Sequence, residues 1–130
     1  MALKNRKDMD PRFQWKLSDI FETPEAWEAA YAKAKKAVEE LGALEGTLKQ
    51  SAESLKSGLD QIYAATEQVE LVYLYASLSK SGDNGDPEAQ RLEGRAMSLY
   101  VALTTALSFV DPEILSIPKE TLDAWMALPE

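Results

Sequence analysis

The sequence predicts an all-α chain: a long antiparallel helical hairpin with one additional helix before it and a short helix after it. Three observations carry this reading. Apolar residues recur at alternating spacings of three and four along two stretches of similar length. Each stretch begins at a cap signal, Ser51 for the first and Asp86-Pro87 for the second. Between them lies Lys80-Ser81-Gly82-Asp83-Asn84-Gly85-Asp86-Pro87, a run of turn residues that reverses the chain.

The elements follow in order. Near the start, Lys4, Arg6, Lys7, Arg12 and Lys16 face only Asp8 and Asp10. Residues 1–12 therefore read as a flexible terminus and 13–130 as one helical domain. Phe13, Trp15 and Leu17 alternate with polar neighbours, which predicts an extended strap over 13–21 that lays one apolar edge across the helices. Thr23 before Pro24 caps the first helix, about 24–41, whose apolar face is Trp27, Tyr31, Ala34, Val38 and Leu41 and whose stop is Gly42. The second helix, about 51–80, carries Leu55, Leu59, Ile62, Thr66, Val69, Tyr73 and Ala76, and would be roughly 45 Å long at 1.5 Å per residue. The third returns the seam through Leu92, Ala96, Leu99, Leu103, Ala106 and Val110. Asp111-Pro112-Glu113 reads as the cap of a brief turn through Ile114 and Leu115. Pro118 then opens an amphipathic segment with Leu122, Trp125, Met126 and Leu128.

Two features do not fit a free-standing hairpin. Residues 69–78 are apolar on nearly every side, and a helix apolar all round is covered all round. The strap and the last helix, or something outside the chain, must cover it; the apolar C-terminal segment favours an incomplete core. Gly94 lies inside the third helix, where glycine costs about 1 kcal/mol against alanine, so it reads as the site of a close helix contact.

Composition excludes most chemistry. None of the 130 residues is histidine or cysteine. Most zinc sites, every thiol nucleophile and the imidazole base of a serine triad need one of those side chains. Fourteen Lys and Arg against 22 Asp and Glu give a net charge of −8, which opposes binding to nucleic acid. The basic start lacks the apolar core of a secretory signal, and no run of about 18 apolar residues is evident, so no membrane partner is expected. The cytoplasm is the default compartment.

Four candidate sites remain. Glu67 and Glu70 share a helical face and are metal-ligand types, but bundle metal sites normally add Glu-x-x-His from two helices, so a solvated face is expected. The Asp83-Asn84-Gly85-Asp86 turn has calcium-loop residue types. Counted from Asp83, however, Glu88 falls where such a loop needs glycine and Gly94 where it needs glutamate. Arg91 and Arg95, one turn apart, have the planar guanidinia that grip anions, yet Glu88 and Glu93 flank them and ordinary surface pairs are expected. Tyr73, Tyr75, Trp15, Trp27 and Trp125 are either a peptide-binding aromatic groove or, at helical spacing, core.

The order of these pieces resembles the N-terminal helical domain of the oligoendopeptidase F family of zinc metallopeptidases. The resemblance runs over about 13–130. It begins with Trp15-Lys16-Leu17-Ser18-Asp19-Ile20-Phe21 and Trp27, then Leu48 and Ser51-Ala52-Glu53-Ser54-Leu55. Val72-Tyr73-Leu74-Tyr75-Ala76-Ser77-Leu78 follows, then Asp86-Pro87-Glu88-Ala89-Gln90, Ala106-Leu107-Ser108-Phe109 and Pro112-Glu113-Ile114-Leu115. It implies one part of a larger helical enzyme, a cytoplasmic endopeptidase that cuts short oligopeptides in a deep channel. In that family zinc is held by a His-Glu-x-x-His helix and a further glutamate, where the histidines bind metal and the motif glutamate takes a proton from water. Neither is present here, so no residue receives a catalytic, cofactor-binding or metal-ligating role.

The implied partners are the missing C-terminal catalytic domain of the same polypeptide and, in the parent, short oligopeptide substrate. The isolated piece is expected either to self-associate or to bind only its own missing remainder. Its role would be to wall the channel and exclude folded protein by size. The rival from another class is a stand-alone helical interaction module whose apolar patch receives a partner helix.

Overall fold

Cap side chains start three helices as their residue types predict. Thr23 Oγ1 accepts the Ala26 amide at 3.1 Å at the head of α1 (Pro24–Glu40). Ser51 Oγ accepts the Ser54 amide at 3.0 Å at the head of α2 (Ala52–Gly82). Asp86 Oδ1 accepts the Glu88 amide at 2.9 Å at the head of α3 (Pro87–Ala106). Two short helices follow, α4 (Val110–Leu115) and α5 (Lys119–Met126). The computed structural model describes residues 4–129, and all regular structure among them is helical. Residues 1–3 of the basic start and Glu130 at the apolar end lie outside the described residues.

α2 and α3 form the hairpin, and α1 lies against both. Because α2 has a neighbour on two sides, its buried set is wider than a single seam. Ile62, Val69 and Ala76 are buried as the spacing predicts, joined by Ala65, Val72 and Tyr75. Trp27, Ala34, Val38 and Leu41 come in from α1 and its end, and Ala96, Leu99 and Leu103 from α3. Trp27 is fully enclosed, and its indole Nε1 donates to the Val72 carbonyl at 3.0 Å. The buried nitrogen thus has its acceptor on the neighbouring helix, which fixes the depth of α1 on α2.

The segment before α1 is not an extended strap. It folds into 3-10 turns at Arg6–Asp8, Pro11–Phe13 and Leu17–Asp19. Phe13 and Trp15 stay 76% and 58% exposed, while Leu17, Ile20 and Phe21 pack on the core. The turns break the period of two, so the anchoring residues come from a different set. Phe21 meets Tyr75 edge to face, with ring centroids 5.6 Å apart. Arg6 ties the segment down: its guanidinium donates to the Trp15 carbonyl at 2.5 Å and its amide donates to Asp83 Oδ2 at 3.3 Å.

Other expectations also change. Asp111 caps nothing, because α4 begins one residue earlier, behind Phe109 and without a side-chain cap. A methyl group on Gly94 would meet no atom within 4 Å, so no close helix contact depends on that glycine. Tight approaches are instead at Gly58, where a Cβ would collide with the buried Leu48 Cδ2, and at Gly82, where it would meet the end of the Arg6 side chain. One stretch within Pro87–Leu115 does reach the length and composition of a membrane span. A turn at 107–109 interrupts that stretch, and its buried members Leu99 and Leu103 face α2 in the core.

Candidate functional site

The all-round apolar run of α2 is covered on one side only. Val69, Val72, Tyr75 and Ala76 are buried, whereas Leu71 and Leu74 are 42% and 45% exposed. On α3, Met97 and Tyr100 are exposed in turn. These four line a groove of about 640 Å³ together with Tyr73, Ser77 and the two glutamates Glu67 and Glu70. Tyr73 and Tyr100 form its inner wall, with ring centroids 5.8 Å apart and planes tilted by 43°. Among the described residues neither Glu67 nor Glu70 has an ion pair or a hydrogen-bonded side-chain partner. The groove is therefore apolar along its floor and negative at one end.

The remaining candidates separate. Glu67 and Glu70 meet no third ligand, since the described residues hold no group of three or more acidic side chains able to hold a metal ion. With no histidine or cysteine in the sequence, the donor set does not fit zinc. The Asp83 turn is occupied by protein donors: Asp83 Oδ1 accepts the Gly85 amide at 3.1 Å and Oδ2 the Arg6 amide at 3.3 Å, and the Asn84 carbonyl accepts Gln90 Nε2 at 2.6 Å.

Arg91 grips Glu88 with two bonds of 2.9 and 2.6 Å, the local pair expected. Arg95 does not pair with Glu93. It crosses to α1 and binds both oxygens of Glu28 at 2.6 and 2.8 Å, while Glu93 pairs with Lys80 of α2. The Arg95 guanidinium also lies over the Tyr31 and Trp27 rings, 4.4 and 5.1 Å from their centroids. Its bonds hold the Glu28 carboxyl below the ordinary glutamate value, against a smaller opposing effect of burial. Both arginines are thus engaged, and neither presents a free fork to an anion.

The five aromatic candidates do not form one surface. Trp27 and Tyr75 are core, Tyr73 is in the groove, and Trp15 is exposed. Trp125 of α5 lines a separate shallow groove with Met126 and, from α2, Leu55 and Leu59. The residue that sequence reasoning missed is Glu113. It is a buried carboxylate whose oxygens accept the amides of Gly46 and Leu48 at 2.7 and 2.8 Å. Its acidic position in the first turn of α4 could have flagged it, but the acceptor role needs the distant 46–48 loop.

These features define a class: a helical lobe built from a hairpin and a bracing helix, with an uncovered apolar groove between α2 and α3. No protein-family model matches the chain. It is 33% identical over 127 residues to the plasmid-encoded oligoendopeptidase F of Lactococcus lactis subsp. cremoris, covering 95% of this chain and 21% of that protein. It is 30% identical over 124 residues to the oligopeptidase PepF of Bacillus subtilis (strain 168), covering 95% and 18%. The crystal structure of oligoendopeptidase-F from Enterococcus faecium superposes with a TM-score of 0.73 at 25% identity, over 80% of this chain and 21% of that one. The chain is thus homologous to one helical portion of the oligoendopeptidase F proteins, and it spans about a fifth of the length of the curated relatives it matches.

Proposed function

We propose that this chain is the N-terminal, non-catalytic lobe, residues 13–130, of a cytoplasmic zinc endopeptidase that hydrolyses short oligopeptides. The observation that carries the reading is the match of 95% of the chain to a fifth of proteins named oligoendopeptidase F. A chain without histidine lacks the two imidazoles of a His-Glu-x-x-His zinc site, so in this reading the metal and catalytic water belong to the remainder of the parent. The lobe contributes shape. A stiff hairpin braced by α1 narrows the entrance to the channel and admits only flexible chains, which concentrates cleavage on short peptides.

The test is to isolate the natural polypeptide from its source cells with an antibody to these residues and identify it by mass spectrometry. The expected product is several times larger, contains a His-Glu-x-x-His peptide and hydrolyses short peptides until zinc is chelated. A natural product of 14.4 kDa would overturn the reading, and a stand-alone interaction module would replace it. For the gating role, shortening the hairpin in the complete enzyme should relax substrate length selection. Unchanged length preference would remove that role.

A further inference from the structure

Leu71 and Leu74 stand three apart on α2, and Met97 and Tyr100 stand three apart on α3. Each pair is an exposed apolar ridge beside the same groove, the surface that a third helix packs into. The lined part of α2, Glu67 to Ser77, is roughly 15 Å long at 1.5 Å per residue, enough for about three helical turns of a partner.

The charge at the groove narrows the choice of partner. Glu67 and Glu70 are unpaired among the described residues, in a chain of net charge −8. An anionic lipid surface would be repelled. A second copy docked about a two-fold axis would bring two more carboxylates into one apolar contact without a cation, which is costly. A helix with an apolar face and a Lys or Arg at its edge satisfies both the ridges and the carboxylates. The relatives extend well beyond the matched fifth, so polypeptide to supply such a helix is at hand. We infer that the α2–α3 groove seats an amphipathic, basic-edged helix from the rest of the same polypeptide. This rests on the reading of the chain as part of a longer enzyme.

The natural polypeptide is the material for the test. Because this chain contains no cysteine, Leu74→Cys reports the groove, and Lys35→Cys on the exposed face of α1 serves as reference. Each is labelled with an uncharged maleimide, the modified peptide is quantified by mass spectrometry, and the rate is divided by that after unfolding in urea. The Leu74→Cys variant should label at least about tenfold more slowly than the Lys35→Cys variant, and Glu67→Lys with Glu70→Lys should remove most of that protection. Equal labelling at the two positions overturns the inference, as does protection that the charge reversal leaves intact. Protection that disappears on dilution identifies a second copy instead. A polypeptide whose thiol at position 74 is protected but which has no peptidase activity would sink the enzyme reading alone. An active peptidase whose thiol at that position labels freely would sink only the docked helix.

Discussion

Oε1 of Glu113 accepts the backbone amide of Leu48 at 2.8 Å across 65 positions of sequence. Its other oxygen takes the Gly46 amide at 2.7 Å, so one carboxylate of α4 holds the loop that joins α1 to α2. Both bonds are charge-assisted, and Glu113 is 8% exposed.

Replacing Glu113 should therefore cost far more than a surface glutamate. Glu113→Ala leaves two inward-facing amides without acceptors and is expected to destabilise by about 2–4 kcal/mol, with Glu113→Gln, which keeps one acceptor, losing about half of that. Urea unfolding followed by circular dichroism gives both values. A loss under about 0.5 kcal/mol for the alanine variant would mean that the loop is held by other contacts.

Gly58 and Gly94 should respond in opposite directions. Gly94 is exposed and a methyl group there meets nothing, so Gly94→Ala should stabilise by about 0.5–1 kcal/mol. Gly58→Ala should destabilise by about 1–3 kcal/mol, because the new methyl runs into the fully buried Leu48. Thermal melts of the pair settle the sign, and like shifts for both would contradict the packing described.

Trp27 combines enclosure with a polar contact to Val72. Trp27→Phe keeps most of the apolar contact and loses the hydrogen bond, for an expected cost of about 1–2 kcal/mol, while Trp27→Ala opens a cavity and costs about 3–5 kcal/mol. Urea unfolding followed by circular dichroism measures both costs, and equal losses for the two variants would contradict a ring packed on all sides.

The Glu28–Arg95 pair makes a small pH-dependent contribution. The folded Glu28 value is depressed, so its stabilisation is present above the unfolded glutamate value, ordinarily 4.5, and is lost as pH falls through the folded value. The side chain is 47% exposed, which discounts the effect to well under about 1 kcal/mol. Glu28→Gln should flatten the acid limb of the stability profile below about pH 4.5 relative to the unaltered chain, and added salt should shrink the difference. An unchanged acid limb would show that the pair contributes nothing to stability.

Much of the fold is legible in the residues. Thr23-Pro24, Ser51 and Asp86-Pro87 mark three helix starts correctly because a cap acts within three residues of itself. The alternation at Phe13, Trp15 and Leu17 misleads because 3-10 turns interrupt it before it can act as a strand-like edge. For Arg95, proximity in sequence offers Glu93, but two residues apart on a helix the two side chains do not face each other, and the actual partner, Glu28, lies on α1. The apolar run at 69–78 is visible in full, but its division into covered Val72 and uncovered Leu74 is not.

The sequence by itself determined the all-helical class, the order and approximate extent of the long helices, and the absence of histidine and cysteine, and so of imidazole and thiol chemistry. Those properties are local or compositional, and they hold whatever the chain packs against. Only the tertiary structure decided that Glu113 holds the 46–48 loop, that Gly58 is crowded and Gly94 is not, and that the exposed ridges of α2 and α3 flank an acidic-ended groove. Periodicity states that a helix face is apolar, but which neighbour covers it depends on how α1 lies against the hairpin, and that arrangement is set by contacts between residues far apart in the chain.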